Sequence, residues 1–250
     1  MNVLSIGNSF SSNAHLLLPQ IVKADGADDE FMLCNLKIDG CSLERHWNNM
    51  KSEEEAYQYE VFLPGETQMS VADELAFFEP IEDEDWDVIT LQQVSQLSGD
   101  ADTFTPYLEE LIAFVRLSNP KAKIFFHQTW AYAGYTKHPG FDAYSRNTDN
   151  MAVAINEACR KAAIFADFDE FIPSGQAFAY ARQTSAKDDL NCPDGFHASR
   201  EGCYLAGACF YEKIFGRDIR ENKYVLPDHP VEYTKLLAEC AHLACEEFRK

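Results

Sequence analysis

Apolar residues fall into two alternating patterns along this chain. Asn2–Ile6 (NVLSI), Phe31–Ile38 (FMLCNLKI), Asp87–Leu91 (DVITL), Ala122–His127 (AKIFFH) and Phe168–Ile172 are short, nearly continuous apolar runs. Several end at turn residues: Gly7, Asp39-Gly40 and Pro173. Such runs predict strands buried on both faces. Between and after them, Ala14–Lys23, Tyr107–Leu117, Tyr144–Ala163, Arg200–Phe215 and Pro230–Phe248 carry apolar positions at helical spacing. Strands separated by helices predict an α/β fold, with right-handed crossovers placing helices on either face. The expected architecture is a three-layer α/β/α sandwich around a central five-stranded parallel sheet. No repeat or Pro/Gly/Ser linker divides the chain, so one domain is expected over residues 1–250.

Two stretches depart from this alternation. Lys51–Ser70 contains an alternating segment, Tyr57–Phe62, followed by Pro64-Gly65, which predicts a small hairpin laid over the sheet edge. Trp130–Phe141 is a loop rich in aromatic residues, Gly and Pro. Both suit the walls of a cleft, because ligands of open α/β sheets bind beyond the carboxyl ends of the strands.

Charge narrows the class of partner. Forty-one acidic residues against 21 basic ones give a formal net charge of −20 over 250 residues. That balance argues against nucleic acid and anionic membrane as partners, since both need clustered Lys and Arg. It favours a small-molecule or carbohydrate substrate carrying little negative charge. No apolar run approaches the ~20 residues of a membrane span, and Asn2–Ile6 reads as a core strand rather than part of a signal peptide. A complete chain would therefore be cytoplasmic, and one from which a leader was removed would be secreted or periplasmic. The eight cysteines form no C-x-x-C pair, which favours free buried thiols over disulfides or a metal site.

Three sequence features carry candidate chemistry. Ile6-Gly7-Asn8-Ser9-Phe10 places a serine between the first strand and a helix, where the helix-start N–H groups can face an oxyanion. Asp194-Gly195-Phe196-His197 offers a carboxylate and an imidazole on one turn, the pairing a general base needs. Gly40, Gln92 and Gln93 stand at the ends of the second and third strands as possible donors. Each has a structural explanation if taken alone: an N-cap serine, an Asp-Gly turn, and glutamines bonded to a neighbouring loop.

Taken together, these blocks resemble the SGNH/GDSL hydrolase superfamily, whose fold is flavodoxin-like, and most of all a branch of unassigned function that opens with I-G-N-S-F. The likeness runs from Asn2 to about Phe215, with G-N-S-F in place of G-D-S-L. It implies a serine esterase acting on small acyl esters, O-acetyl groups on carbohydrates foremost, and needing no cofactor or metal. Ser9 would be the nucleophile, His197 the base and Asp194 its partner. The backbone N–H groups of Ser9 and Gly40 would form the oxyanion hole. The superfamily's third block usually supplies an asparagine donor, but this chain reads L-Q-Q-V-S there. Gln93 is the expected substitute, with Gln92 the alternative. His46, Trp47, His127, Trp130 and Tyr132 lie in further stretches that fit the branch, and are expected to form the substrate-facing wall. Three rival readings remain. A binding module on the same fold would hold a glycan without cleaving it. A nucleotide binder would need a Gly-rich phosphate loop, which is absent. A metal hydrolase would need to use His127, His138 and His197, whose spacing fits no ligand motif.

Overall fold

The computed structural model describes residues 1–26 and 30–250. Its strands are β1 (Asn2–Gly7), β2 (Met32–Lys37), β3 (Tyr57–Phe62), β4 (Ser70–Leu75), β5 (Val88–Leu91), β6 (Lys123–His127) and β7 (Glu170–Ile172). They form one sheet in the order β4-β3-β2-β1-β5-β6-β7. The five strands expected from the apolar runs are present and pair in parallel. The five-stranded parallel sheet nevertheless needs correction, because the sheet is seven-stranded and mixed. β3 pairs antiparallel with β2, and β4 antiparallel with β3, so the hairpin extends the sheet instead of lying over its edge. The physical reason is the row of backbone N–H and C=O groups that β2 would otherwise leave open. Tyr57 and Phe62 are buried when β3 docks there, while Gln58 stays exposed.

The helices are α1 (Ser9–His15), α2 (Leu18–Ala24), α3 (Leu43–Ser52), α4 (Glu79–Asp83), α5 (Tyr107–Ser118), α6 (Thr148–Phe165), α7 (Ser174–Ala181), α8 (Arg200–Phe215) and α9 (Val231–Glu247). They flank the sheet in groups: α1, α2, α7 and α9 pack on α8, whereas α3 and α4 pack on α5. Every residue of α8 from Gly202 to Tyr211 is buried, as a helix enclosed by neighbours requires. The expected helix over Ala14–Lys23 is in fact two. Pro19, which has no N–H and favours the first turn, sits at the start of α2. The expected helix from Tyr144 begins later, at Thr148. There the Asn147 side chain caps α6 by accepting from the Asn150 N–H, and Pro139–Tyr144 forms a 3₁₀ turn.

Parallel pairing puts the carboxyl ends of β2, β1, β5 and β6 side by side, in that order. The segments leaving those ends carry Gly40, Ser9 (the first residue of α1), Val94 and His138 respectively. All four line one cleft of about 570 Å³.

Candidate active site

Ser9 reaches the cleft because β1 turns directly into α1. Asn8 is the N-cap, with extended backbone and a side-chain Oδ1 that accepts from the Phe10 N–H at 3.0 Å. Its amide nitrogen donates to the Cys41 carbonyl at 3.1 Å, tying the Ser9 turn to the loop after β2. Gly7 is needed just before it, since a Cβ there would stand 2.5 Å from Ser11 Oγ. The Ser9 side chain is left half-buried at the cleft floor, 2.9 Å from His197 Nε2.

The opposite ring nitrogen, His197 Nδ1, lies 2.8 Å from Asp194 Oδ2. The other oxygen, Oδ1, accepts the backbone N–H groups of Phe196 (3.0 Å) and His197 (3.1 Å). Burial pulls the Asp194 carboxyl upward. These N–H groups and the imidazole outweigh it and hold the acid below its ordinary value. Gly195 makes the turn possible. Its φ is +79°, and a Cβ would meet Thr136 at 2.7 Å, so both backbone shape and space exclude a side chain. The loop after β6 holds this turn through three hydrogen bonds: Thr136 Oγ1 to the Asp194 carbonyl (2.7 Å), Ala133 N–H to the Gly195 carbonyl (2.7 Å) and Trp130 Nε1 to the Phe196 carbonyl (2.9 Å). Hydroxyl, imidazole and carboxylate thus stand in the order that lets a proton leave the hydroxyl while the resulting imidazolium is stabilised.

On the β2 side, Gly40 adopts φ +64° and borders the cleft. The glutamines expected to complete the donor set do not face it. Gln93 Nε2 donates to the Thr103 carbonyl and hydroxyl, and its Oε1 accepts from the Leu43 and Val94 N–H groups. Gln92 Nε2 donates to Asn8 Oδ1 at 2.8 Å, and its Oε1 accepts from His127 Nδ1 at 2.8 Å. His127 Nε2 in turn accepts from Ser174 Oγ at 3.0 Å. Both glutamines are therefore interior braces: one joins α3 to the turn at Ala101–Thr103, and the other joins Asn8 to β6 and α7. Val94 and Ser95 border the cleft where the extra donor was expected.

The expected aromatic wall also needs correction. His46, His127, Trp130 and Tyr132 are buried, and none of them lines the cleft. His46 bonds Tyr57, and burial lowers the pKa of both His46 and His127 to about 3, leaving neutral interior rings. Trp47 is half-buried between α3 and α5, bonded to Glu110 and packed on Tyr107 and Lys51. Trp130 is sandwiched between Phe10 (4.4 Å) and Phe178 (4.7 Å) and acts as a pillar beneath the site. Besides His197, the rings that line the cleft among the described residues are Phe10, Phe196 and His138. From the sequence, His138 is a candidate only as a metal ligand, and Phe196 has no assigned role. The adjacency of Phe196 to His197 is the signal that would have found it.

A third Ser–His hydrogen bond runs from Ser5 Oγ to His15 Nε2 at 2.8 Å, with Thr90 Oγ1 donating to Ser5. Ser5 is 0% exposed and His15 1%, so this pair is sealed inside the sheet–helix interface away from any substrate. Among the described residues, Glu212, Asp218 and His242 bring ligand atoms within 4.8 Å of one another, in a pocket separate from the cleft. Their atoms are already engaged: Glu212 with the Ile219 N–H and His242, and Asp218 with Arg220. All eight cysteines are free thiols, seven of them buried.

Comparison with known proteins agrees with the sequence blocks. Residues 2–244 match the family described as a domain of unknown function, DUF4886. The crystal structure of a DUF4886 family protein from Bacteroides uniformis is similar at 33% identity and TM-score 0.94, over 99% of this chain and 95% of that one. A protein from Slackia heliotrinireducens described as a candidate SGNH hydrolase is similar at 21% identity and TM-score 0.59, covering 86% and 98%. Axe2, an acetylxylan esterase from Geobacillus stearothermophilus, is similar at 12% identity and TM-score 0.51, covering 85% and 93%. The last two likenesses concern the fold. No curated protein matches the sequence. The chain belongs to the DUF4886 family, and its fold is shared with SGNH/GDSL-type lipases and esterases.

Proposed function

We infer that this protein is a serine esterase for small acyl esters, acetyl esters of carbohydrates foremost. The observation that carries this reading is the relay from Ser9 Oγ through His197 to Asp194, at 2.9 and 2.8 Å, opening on the cleft. His197 Nε2 takes the Ser9 proton as Oγ bonds the ester carbonyl carbon. The negative charge passes to the carbonyl oxygen, which faces the N–H groups of Ser9 and Gly40. Collapse breaks the bond to the alcohol, which leaves with the proton from His197. Water, deprotonated by the same imidazole, then releases the acid and restores Ser9. No step calls on a cofactor. The likeness in fold to an acetylxylan esterase is consistent with an acetyl ester on a sugar.

One observation favours a second reading, a glycan-binding module without turnover: neither Gln92 nor Gln93 is free to serve the oxyanion. Losing one such donor typically costs ~3 kcal/mol of transition-state stabilisation, which slows an esterase but does not abolish it. Hydrolysis of p-nitrophenyl acetate by the wild type beside Ser9→Ala decides between them, with butyrate and octanoate esters reporting acyl length. The esterase reading expects a loss of at least about 10³-fold in kcat/KM in the variant, and fastest turnover on acetate. Equal rates in the two proteins would favour the binding module.

A further inference from the structure

The strand order fixes the two ends of the cleft. Gly40 follows β2 on one side of Ser9, and His138 follows β6 on the other, with Val94–Gln96 of the loop after β5 between them. If Gly40 marks the place of the carbonyl oxygen, the alcohol leaves on the His197 side, because His197 Nε2 must protonate it. Two rings stand there. Phe196 lies 4.2 Å from the His197 ring, and His138 lies 5.1 Å from Phe196.

His138 is held in one state by its own loop. Its Nδ1 accepts the Gly140 N–H at 3.1 Å, so the neutral ring carries its hydrogen on Nε2. Edge-on packing against Tyr132 (5.0 Å) and Phe196 fixes the ring orientation. Its backbone N–H is anchored on Thr136 Oγ1, the same hydroxyl that holds the Asp194 carbonyl. Among the described residues nothing bonds to His138 Nε2, although the ring borders the cleft. Burial and the neighbouring His197 depress its pKa, which keeps the ring neutral. Phe196 is half-buried, lines the same cleft and meets the His138 ring in an edge contact. A flat aromatic face next to a fixed N–H complements a sugar ring, which offers C–H groups on its face and oxygen acceptors at its edge.

We propose that His138 and Phe196 form the subsite for the alcohol half of the substrate, with His138 Nε2–H donating to an oxygen of a sugar ring and Phe196 stacking on its face. This rests on the esterase reading and assigns the recognition of the carbohydrate to residues outside the relay. His138 acts on binding of the leaving group and takes no proton in the cycle.

The test compares two acetyl esters that differ in the alcohol, glucose pentaacetate and p-nitrophenyl acetate, in the wild type, His138→Leu, His138→Gln and Phe196→Ala. The quantity read is the ratio of kcat/KM for the sugar ester to that for the aryl ester. We expect it to fall about fivefold in His138→Leu, mainly through KM for the sugar ester, as loss of one neutral hydrogen bond implies. It should recover largely in His138→Gln, whose amide restores a donor, and fall in Phe196→Ala. Turnover of the aryl ester shows that each variant is folded. A ratio within twofold of wild type in an active His138→Leu, or a Gln variant as low as the Leu variant, would overturn this subsite while leaving the esterase intact. Absence of Ser9-dependent turnover of either ester by the wild type would overturn both.

Discussion

An imidazole helps a serine only when the nitrogen facing the hydroxyl is bare. In this protein Asp194 decides that, since its Oδ2 can only accept and therefore keeps the hydrogen on His197 Nδ1. Asp194→Asn tests the point at the scale of one atom. The amide can donate to Nδ1, which would move the ring hydrogen to Nε2 and leave nothing to accept the Ser9 proton. With size and loop shape preserved, kcat should fall roughly 10³–10⁴-fold with little change in KM, measured on p-nitrophenyl acetate. A fall of less than tenfold would mean that the tautomer is set by something other than Asp194. Single residues also show how the same side-chain type serves opposite ends. Ser9 and Ser5 each bond a histidine, but only Ser9 borders the cleft.

At the scale of elements, the relay is assembled from distant parts of the sequence, Ser9 and His197 lying 188 positions apart. The loop after β6 brings them together. Trp130 stacks on Phe10, next to Ser9, and donates to the carbonyl of Phe196, next to His197. Trp130→Phe keeps most of the stacking and removes the N–H. It should lower stability by about 1–2 kcal/mol, because the Phe196 carbonyl loses its partner. It should also lower kcat about tenfold, since small displacements of a reacting group are costly. Thermal unfolding and steady-state kinetics together check this. Lost stability with unchanged kcat would mean that the Thr136 and Ala133 contacts alone hold the turn.

At the scale of the whole molecule, buried histidines make stability depend on acid. Burial lowers the pKa of each of His15, His46 and His127 to about 3. In the unfolded chain each titrates near 6.5. Between those values the unfolded chain takes up protons that the folded protein refuses. The stability due to these neutral rings is thus fully present above about pH 6.5 and is lost as pH falls, at roughly 1.4 kcal/mol per pH unit for each histidine. By pH 5 the three together cost about 6 kcal/mol, against the ~5–15 kcal/mol that holds a typical domain. Urea midpoints at pH 7, 6 and 5 should therefore fall steeply, and a midpoint constant to pH 5 would show that the rings are not held neutral.

The sequence by itself determined the five parallel strands, because continuous apolar runs ended by turn residues have few other uses. Its block order also singled out Ser9, Asp194 and His197, which the fold brings within hydrogen-bond reach, and Gly40, which borders the same cleft as Ser9. Only the tertiary structure decided where polar and aromatic side chains point. Gln92, Gln93 and His127 look like groups that face a ligand in a string of letters, but inside the protein Gln92 pairs with His127 and Asn8, and Gln93 pairs with Thr103, Leu43 and Val94. Trp130 and Tyr132 look like a wall and proved to be packing. Likewise the alternating pattern of Tyr57–Phe62 announced a hairpin, but that β3 and β4 extend the sheet depends on the open edge of β2, a fact about a neighbour and not about their own residues. Strand formation in the core is written in local apolar pattern. Side-chain direction depends on which partners the fold brings within hydrogen-bond reach, and those partners lie tens to nearly two hundred residues away along the chain.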